Sequence, residues 1–129
     1  MSSEIDQVVP HEFRPVVYVA GPFRSDPFAG IRKAILAAES LDRSGFVTAW
    51  VPHQNAMYDL VCPHTAEYWL GYDIAQLARS DALFRIPGLS DGADDEVAFA
   101  KEVGMPVFYN ESEVIHWAQA WMDDGAAAE

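Results

Sequence analysis

The chain is poor in positive charge and nearly without cysteine. Eight Lys and Arg stand against twenty Asp and Glu in 129 residues, a formal charge of −12. A surface of that sign repels nucleic-acid backbones and anionic membranes, so the expectation is no nucleic-acid polymer and no membrane among its partners. A small anionic ligand stays compatible if cations or backbone amides are placed locally. That scarcity makes each Lys or Arg near a candidate site informative. The lone cysteine, Cys62, rules out an internal disulfide and fits a reducing compartment. It has no activating neighbour in the sequence and reads as inert. No apolar run reaches the ~20 residues that a membrane-spanning helix needs. Residues 1–12 carry no basic-then-apolar leader pattern, and the expected location is cytoplasmic. Half of the residues are apolar, enough for one domain with a real core. The expected division is a flexible arm at 1–14, a single domain at 15–122 and a frayed tail at 123–129.

Within that domain the apolar pattern alternates between two periods. Near-continuous β-branched or apolar runs at 15–20, 46–51, 82–86 and 105–109 predict strands buried on both faces. Helical spacing follows each of them. Asp26 caps the first helix with Pro27 at its first position, and Ile31, Ala34, Ile35, Ala38 and Leu41 recur along it. Residues 53–63 read as an irregular loop. Thr65 caps a helix to Arg79 with Tyr68, Tyr72 and Ala75 on its apolar face and Asp73 at that face's edge. A helix with an acidic first turn leads into 97–103. Asn110 and Glu113 form a capping-box-like start for a last helix carrying Val114, Trp117, Ala118 and Trp121. The β-α alternation predicts a three-layer α/β domain, flavodoxin-like or Rossmann-like, with a four- to five-stranded parallel sheet. Ligands in such folds bind beyond the carboxyl ends of the strands. The odd polar residues of this chain gather at those ends.

The densest of those ends is 87–96, Pro-Gly-Leu-Ser-Asp-Gly-Ala-Asp-Asp-Glu. Glycines let a ligand approach the backbone, and helix N-terminal amides face the same space. Glu96 is the candidate for chemistry there; an acidic first turn also complements the helix dipole. Asp94 and Asp95 are expected to raise the pKa of Glu96 if they point inward. The segment Gly21, Pro22, Phe23, Arg24, Ser25 reads either as an anion cradle with Arg24 as its cation or as a tight turn. It is neither a Walker loop nor a Gly-x-Gly-x-x-Gly fingerprint. His53, Cys62 and His64 match no standard zinc spacing, so no metal is expected, and His53 reads as a pocket wall or hydrogen-bond partner. Gly88-Leu89-Ser90-Asp91-Gly92 matches Gly-x-Ser-x-Gly, but the chain is short for that hydrolase fold and His116 falls inside a helix. Tyr18, Asp73, Ser90 and Glu96 remain. Two carboxylates and a phenol in one pocket are a set that can break a glycosidic bond.

Taken in order, Tyr18-Val19-Ala20-Gly21-Pro22, Gly45, Pro52-His53, Gly71-Tyr72-Asp73, Ser80-Asp81-Ala82-Leu83, Ser90-x-Gly92-x-x-x-Glu96 and Gly104-x-Pro106-Val107 resemble the nucleoside 2-deoxyribosyltransferase-like superfamily. That group includes the deoxynucleoside 5′-monophosphate N-glycosidases. The resemblance implies a flavodoxin-like sheet and no metal or redox cofactor. It implies Glu96 as nucleophile, Asp73 as the acid that helps the base leave, and Tyr18 as the residue orienting the glutamate. Ser90, Gly92 and the 21–25 loop are implied contacts to the sugar and any 5′-phosphate. The implied activity is N-glycosidic cleavage or transfer on a small nucleoside or nucleoside 5′-monophosphate, in a homo-oligomer whose subunits complete each other's sites. A catalytically silent nucleotide-binding domain and cleavage of a ribosyl compound such as NAD are the alternatives. The long 53–64 stretch departs from the family pattern.

Overall fold

The computed structural model describes residues 9–128. Strand β1 (Val16–Ala20) is the centre of the sheet because it is apolar on both faces. Val17 and Val19 enter one core and Tyr18 and Ala20 the other, all four without solvent exposure. β2 (Thr48–Trp50) pairs with one edge of β1, β3 (Ala82–Arg85) with the other, and β4 (Val107–Phe108) with β3. All pairings are parallel and the order is β2-β1-β3-β4. The outer strands are shorter than the apolar runs that announced them. Two acidic side chains serve as backbone acceptors at the strand starts: Asp81 takes the Val16 N–H at 2.8 Å, and Asp42 takes that of Ala49 at 2.8 Å.

Helices α1 (Pro27–Arg43) and α5 (Glu111–Ala128) cover the Val17/Val19 face through Ala34, Ala38, Leu41, Val114 and Ala118. Ile35, expected on the inner stripe of α1, is half exposed, since the stripe runs Gly30, Ala34, Ala38, Leu41. Helices α3 (Ala66–Leu77) and α4 (Asp91–Glu102) cover the other face through Leu77, Ala93 and Ala100. The result is three layers with a flavodoxin-like strand order. The chain leaves β1 towards β2 and leaves β3 towards β4, so the connections diverge between β1 and β3, where such sheets open a ligand crevice.

Four expectations about the elements meet a different structure. The loop expected at 53–63 holds a 3₁₀ turn, Pro52–Gln54, and a short helix, α2 (Asn55–Val61). No residue of α2 is fully buried, and its seven residues are too few for the spacing of Met57, Leu60 and Val61 to stand out. On α3 the inward face is Leu70, Asp73, Ile74 and Leu77, while Tyr68 and Ala75 are exposed. The tyrosines bury area against one another and against His64 and Tyr58 instead of against the sheet. At the C-terminus α5 runs on to Ala128 through the stretch expected to fray; the alanines at 126–128 have the highest helix propensity. The expected N-terminal arm falls in two parts. Residues 1–8 lie outside the described residues. Beyond them Arg14 is buried and its guanidinium donates to the carbonyls of Val9, Asp42 and Val47 at 2.6, 3.3 and 3.2 Å, which ties 9–14 to the body.

Candidate active site

A cleft of about 440 Å³ opens at the carboxyl ends of β1 and β3. Its walls come from the 21–25 loop, the 3₁₀ turn with α2, the inner face of α3 and the first turns of α4. The placement of Glu96 begins at Ser90. With extended backbone, Ser90 caps α4, its Oγ accepting the Ala93 N–H at 3.1 Å. Ala93, Glu96 and Ala100 then share one face of α4 and are carried against the sheet. Glu96 is therefore 6% exposed while it still lines the cleft.

Burial pushes the Glu96 carboxyl up to about 7, helped by the nearby Asp73 and Asp95 and opposed by a hydrogen bond from Tyr18 and by Arg85. Tyr18 is fully buried beneath the carboxylate and its hydroxyl donates a short hydrogen bond to Glu96 Oε2. Burial, then the charge of Glu96, drive the phenol far above its ordinary value, so it acts as a fixed donor. The crowding expected from Asp94 and Asp95 is only partly met: both are exposed, and of the two only Asp95 adds to the shift, as its smallest cause. Asp94 pairs with Arg85 at 3.0 Å, and burial is the main cause of the shift. Arg85 also donates to the carbonyls of Ile86 and Gly88 at 2.6 and 2.9 Å, folding the turn that leads into α4.

Asp73 faces the same cleft from α3. Burial lifts its carboxyl to about 6, against the pull of Asn55, whose Nδ2 donates to Asp73 Oδ1 at 2.7 Å. Two carboxyl groups titrating near neutrality thus share one concave space, one of them gripped by a phenol. That is the equipment for nucleophilic attack coupled to proton delivery.

Of the 21–25 loop, Gly21, Phe23, Arg24 and Ser25 line the cleft and Pro22 does not. Pro22 is the loop's anchor. Its carbonyl accepts from His53 Nε2 at 3.1 Å, and two glycines make room for it. A Cβ on Gly30 would collide with the Pro22 carbonyl oxygen and meet Phe23 Cα at 3.1 Å. At Gly88 the backbone has φ +124°, and a Cβ there would strike the Pro22 ring. Because a carbonyl only accepts, His53 carries its proton on Nε2. Burial lowers its pKa, so the ring is neutral. The anion cradle expected at this loop is partly filled from within: Asp26 caps α1, accepting the Ala29 N–H at 3.2 Å, and Pro27 has no N–H to offer. Gly92 lines the cleft with open space where a Cβ would stand.

The structure thus brings Glu96, Asp73, Gly21, Phe23, Arg24, Ser25, His53, Ser90 and Gly92 to one cleft, with Tyr18 directly beneath. The Ser90 hydroxyl is engaged as a helix cap, a role unlike that of a nucleophile poised on a strained turn. Cys62 is exposed, and His64 stacks on Tyr68 at 3.7 Å. Among the described residues no three His, Cys, Asp or Glu side chains converge as a metal site would require. Sequence reasoning did not assign Asn55, Asp59, Trp69 or Leu70 to the cleft, all of which line it. The one signal in the sequence was their spacing: Asn55 with Asp59, and Trp69 with Asp73, each four residues apart.

No family model and no curated protein matches the chain. Among solved structures it is similar to a 2-deoxyribosyltransferase from the psychrotolerant bacterium Bacillus psychrosaccharolyticus, a biocatalyst for nucleoside synthesis. The TM-score is 0.50 at 21% identity, over 71% of this chain and 69% of that one. The likeness is one of fold, a parallel sheet between two layers of helices.

Proposed function

We propose that this protein cleaves the N-glycosidic bond of a small nucleoside or nucleoside 5′-monophosphate, with Glu96 as nucleophile. The observation that carries the reading is Glu96 itself. It is a carboxylate buried at a cleft floor, oriented by the Tyr18 hydroxyl, with a second carboxyl, Asp73, in the same space. The solved 2-deoxyribosyltransferase supports the class of chemistry through its fold.

In this mechanism an ionised Glu96 oxygen attacks the anomeric carbon. The carbon–nitrogen bond breaks, its electron pair stays on the base, and Asp73 delivers the proton that lets the base leave. Tyr18 holds the other carboxylate oxygen throughout. Water or a second base then attacks the same carbon and gives its proton back to the Asp73 carboxylate, the carbon–oxygen bond to Glu96 breaks, and the outcome is hydrolysis or transfer respectively. Ser90, Gly92, His53 and the 21–25 loop hold the sugar, and Arg24, the one Lys or Arg lining the cleft among the described residues, receives a 5′-phosphate where the substrate has one. Each step closes on the chain's own groups and calls for no metal or redox cofactor. The test is chromatography of free base released from nucleosides, their 5′-monophosphates and NAD, by wild type and by Glu96→Gln. Release by wild type alone is expected, and a second base added in excess separates transfer from hydrolysis. A folded wild type that releases nothing, with or without an acceptor base, contradicts the proposal.

A further inference from the structure

Helix α2 has no fully buried residue of its own, yet two of its side chains reach the cleft wall and grip α3. Asn55 Nδ2 donates to Asp73 Oδ1 at 2.7 Å. One turn later, Asp59 Oδ1 accepts the indole N–H of Trp69 at 2.6 Å and the backbone N–H of His64 at 2.8 Å. Moving four residues forward on α2 moves four back on α3, the register of an antiparallel helix hairpin closed by residues 62–65. Trp69 and Asp73 are one turn apart on the inner face of α3, so the indole and the carboxyl stand side by side in the cleft.

We propose that this clasped hairpin is the pocket for the leaving base, with the Trp69 indole as its stacking wall and Asp59 as the positioning residue that fixes the indole. The inference rests on the proposed function, since it is Asp73 as proton donor that places the base beside Trp69. A planar heteroaromatic ring needs a flat apolar surface within reach of the acid that protonates it. Trp69 supplies that surface, with Leu70 next to it. Phe23 and His53 are the other rings lining the cleft among the described residues, but they stand edge to face with each other, on the 21–25 loop and the 3₁₀ turn and not on the helix that bears Asp73. The indole has little freedom. Tyr58, Tyr68 and Tyr72 pack edge-on around it at 5.0–5.3 Å, and the charge-assisted bond to Asp59 sets its rotation. The Asp59 carboxyl is held below its ordinary range by the His64 and Trp69 N–H groups, so the bond keeps its charge through neutral pH. A wall prepared in this way does not have to be ordered when the base binds.

The test is a titration of the ¹⁵N-labelled protein with free adenine, hypoxanthine, cytosine and thymine, following the indole N–H signals of the four tryptophans, with Trp69→Phe to identify the Trp69 signal. At least one base is expected to shift that signal. Asp59→Ala, checked for intact fold by its melting curve, is expected to weaken binding of that base by about tenfold and to raise KM by about as much, with a smaller fall in kcat. Bases that bind without moving the Trp69 signal overturn the inference. So does an Asp59→Ala protein that binds them unchanged, and so does the absence of any base binding at millimolar concentration. Bases that bind at Trp69 in a protein that breaks no glycosidic bond leave this pocket standing and sink the proposed reaction instead.

Discussion

At the scale of single residues the proposed chemistry turns on two carboxyls with different neighbours. Glu96 is pushed up to about 7 and Asp73 to about 6, both mainly by burial. The mechanism needs the higher of the two ionised and the lower protonated. Near pH 6.5 only about one molecule in twenty holds that combination. The pair therefore gives a bell-shaped rate profile with apparent limbs near 6 and 7, which belong to the pair and not to either residue. Tyr18→Phe removes the donor that favours ionised Glu96, so kcat is expected to fall by about 10- to 100-fold and the optimum to move up in pH. Asn55→Leu removes the bond that favours ionised Asp73. Its Asp73 carboxyl titrates higher, and both that carbon's NMR titration and the pH optimum should move upward. An unchanged profile in both variants would contradict the assigned roles. Gly92→Ala separates function from fold in another way. The added methyl meets no protein atom, so stability should hold or rise slightly while KM increases, as kinetics and melting curves would show.

At the scale of elements, the site depends on loops pressed together through glycine. Gly30→Ala places a methyl against the Pro22 carbonyl and Phe23, whose backbone has to move. A loss of about 1–3 kcal/mol in stability is expected from denaturant unfolding, with activity falling further than stability does because the 21–25 loop is displaced. This scale also shows what the sequence could and could not reveal. The strands at β1 and β3 were legible because a strand buried on both faces is apolar nearly throughout, Arg85 being the one break in the second run. The turns after them were legible because glycine, proline and helix caps leave local marks. α2 left little mark: Met57, Leu60 and Val61 keep helical spacing, but they face solvent, and seven residues are too short a window for that spacing to stand out. The aromatic stripe of α3 misled for a related reason, since Tyr68 packs on His64 and not on the sheet. Asn55, Asp59 and Trp69 acquire their roles only when two helices fold back on each other, a relation between segments that no window along the chain contains.

At the scale of the whole molecule, the cleft sits where the sheet's connections diverge, and the fold bears the cost of burying acids there. A carboxyl whose folded pKa is raised binds its proton more tightly in the folded protein. Its stabilising contribution is complete below the unfolded value and is lost as pH rises through the folded one. For Glu96 that window runs from 4.5 to about 7, and for Asp73 from 3.8 to about 6. Removing the Glu96 charge should therefore make the molecule sturdier in alkali. Between pH 4 and pH 8 the stability of Glu96→Gln relative to wild type should shift in the variant's favour by about 3 kcal/mol, read from denaturant unfolding at the two pH values.

The most direct test of the central claim is the mass of the protein during turnover. Wild type would be mixed with a nucleoside whose 2′-fluorine slows formation and breakdown of the glycosyl-enzyme, quenched in acid, and weighed intact before peptide mapping. An added sugar mass is expected, mapping to the peptide that carries Glu96 and absent from Glu96→Gln. Base release without a covalent adduct, or an adduct on any other residue, would contradict it.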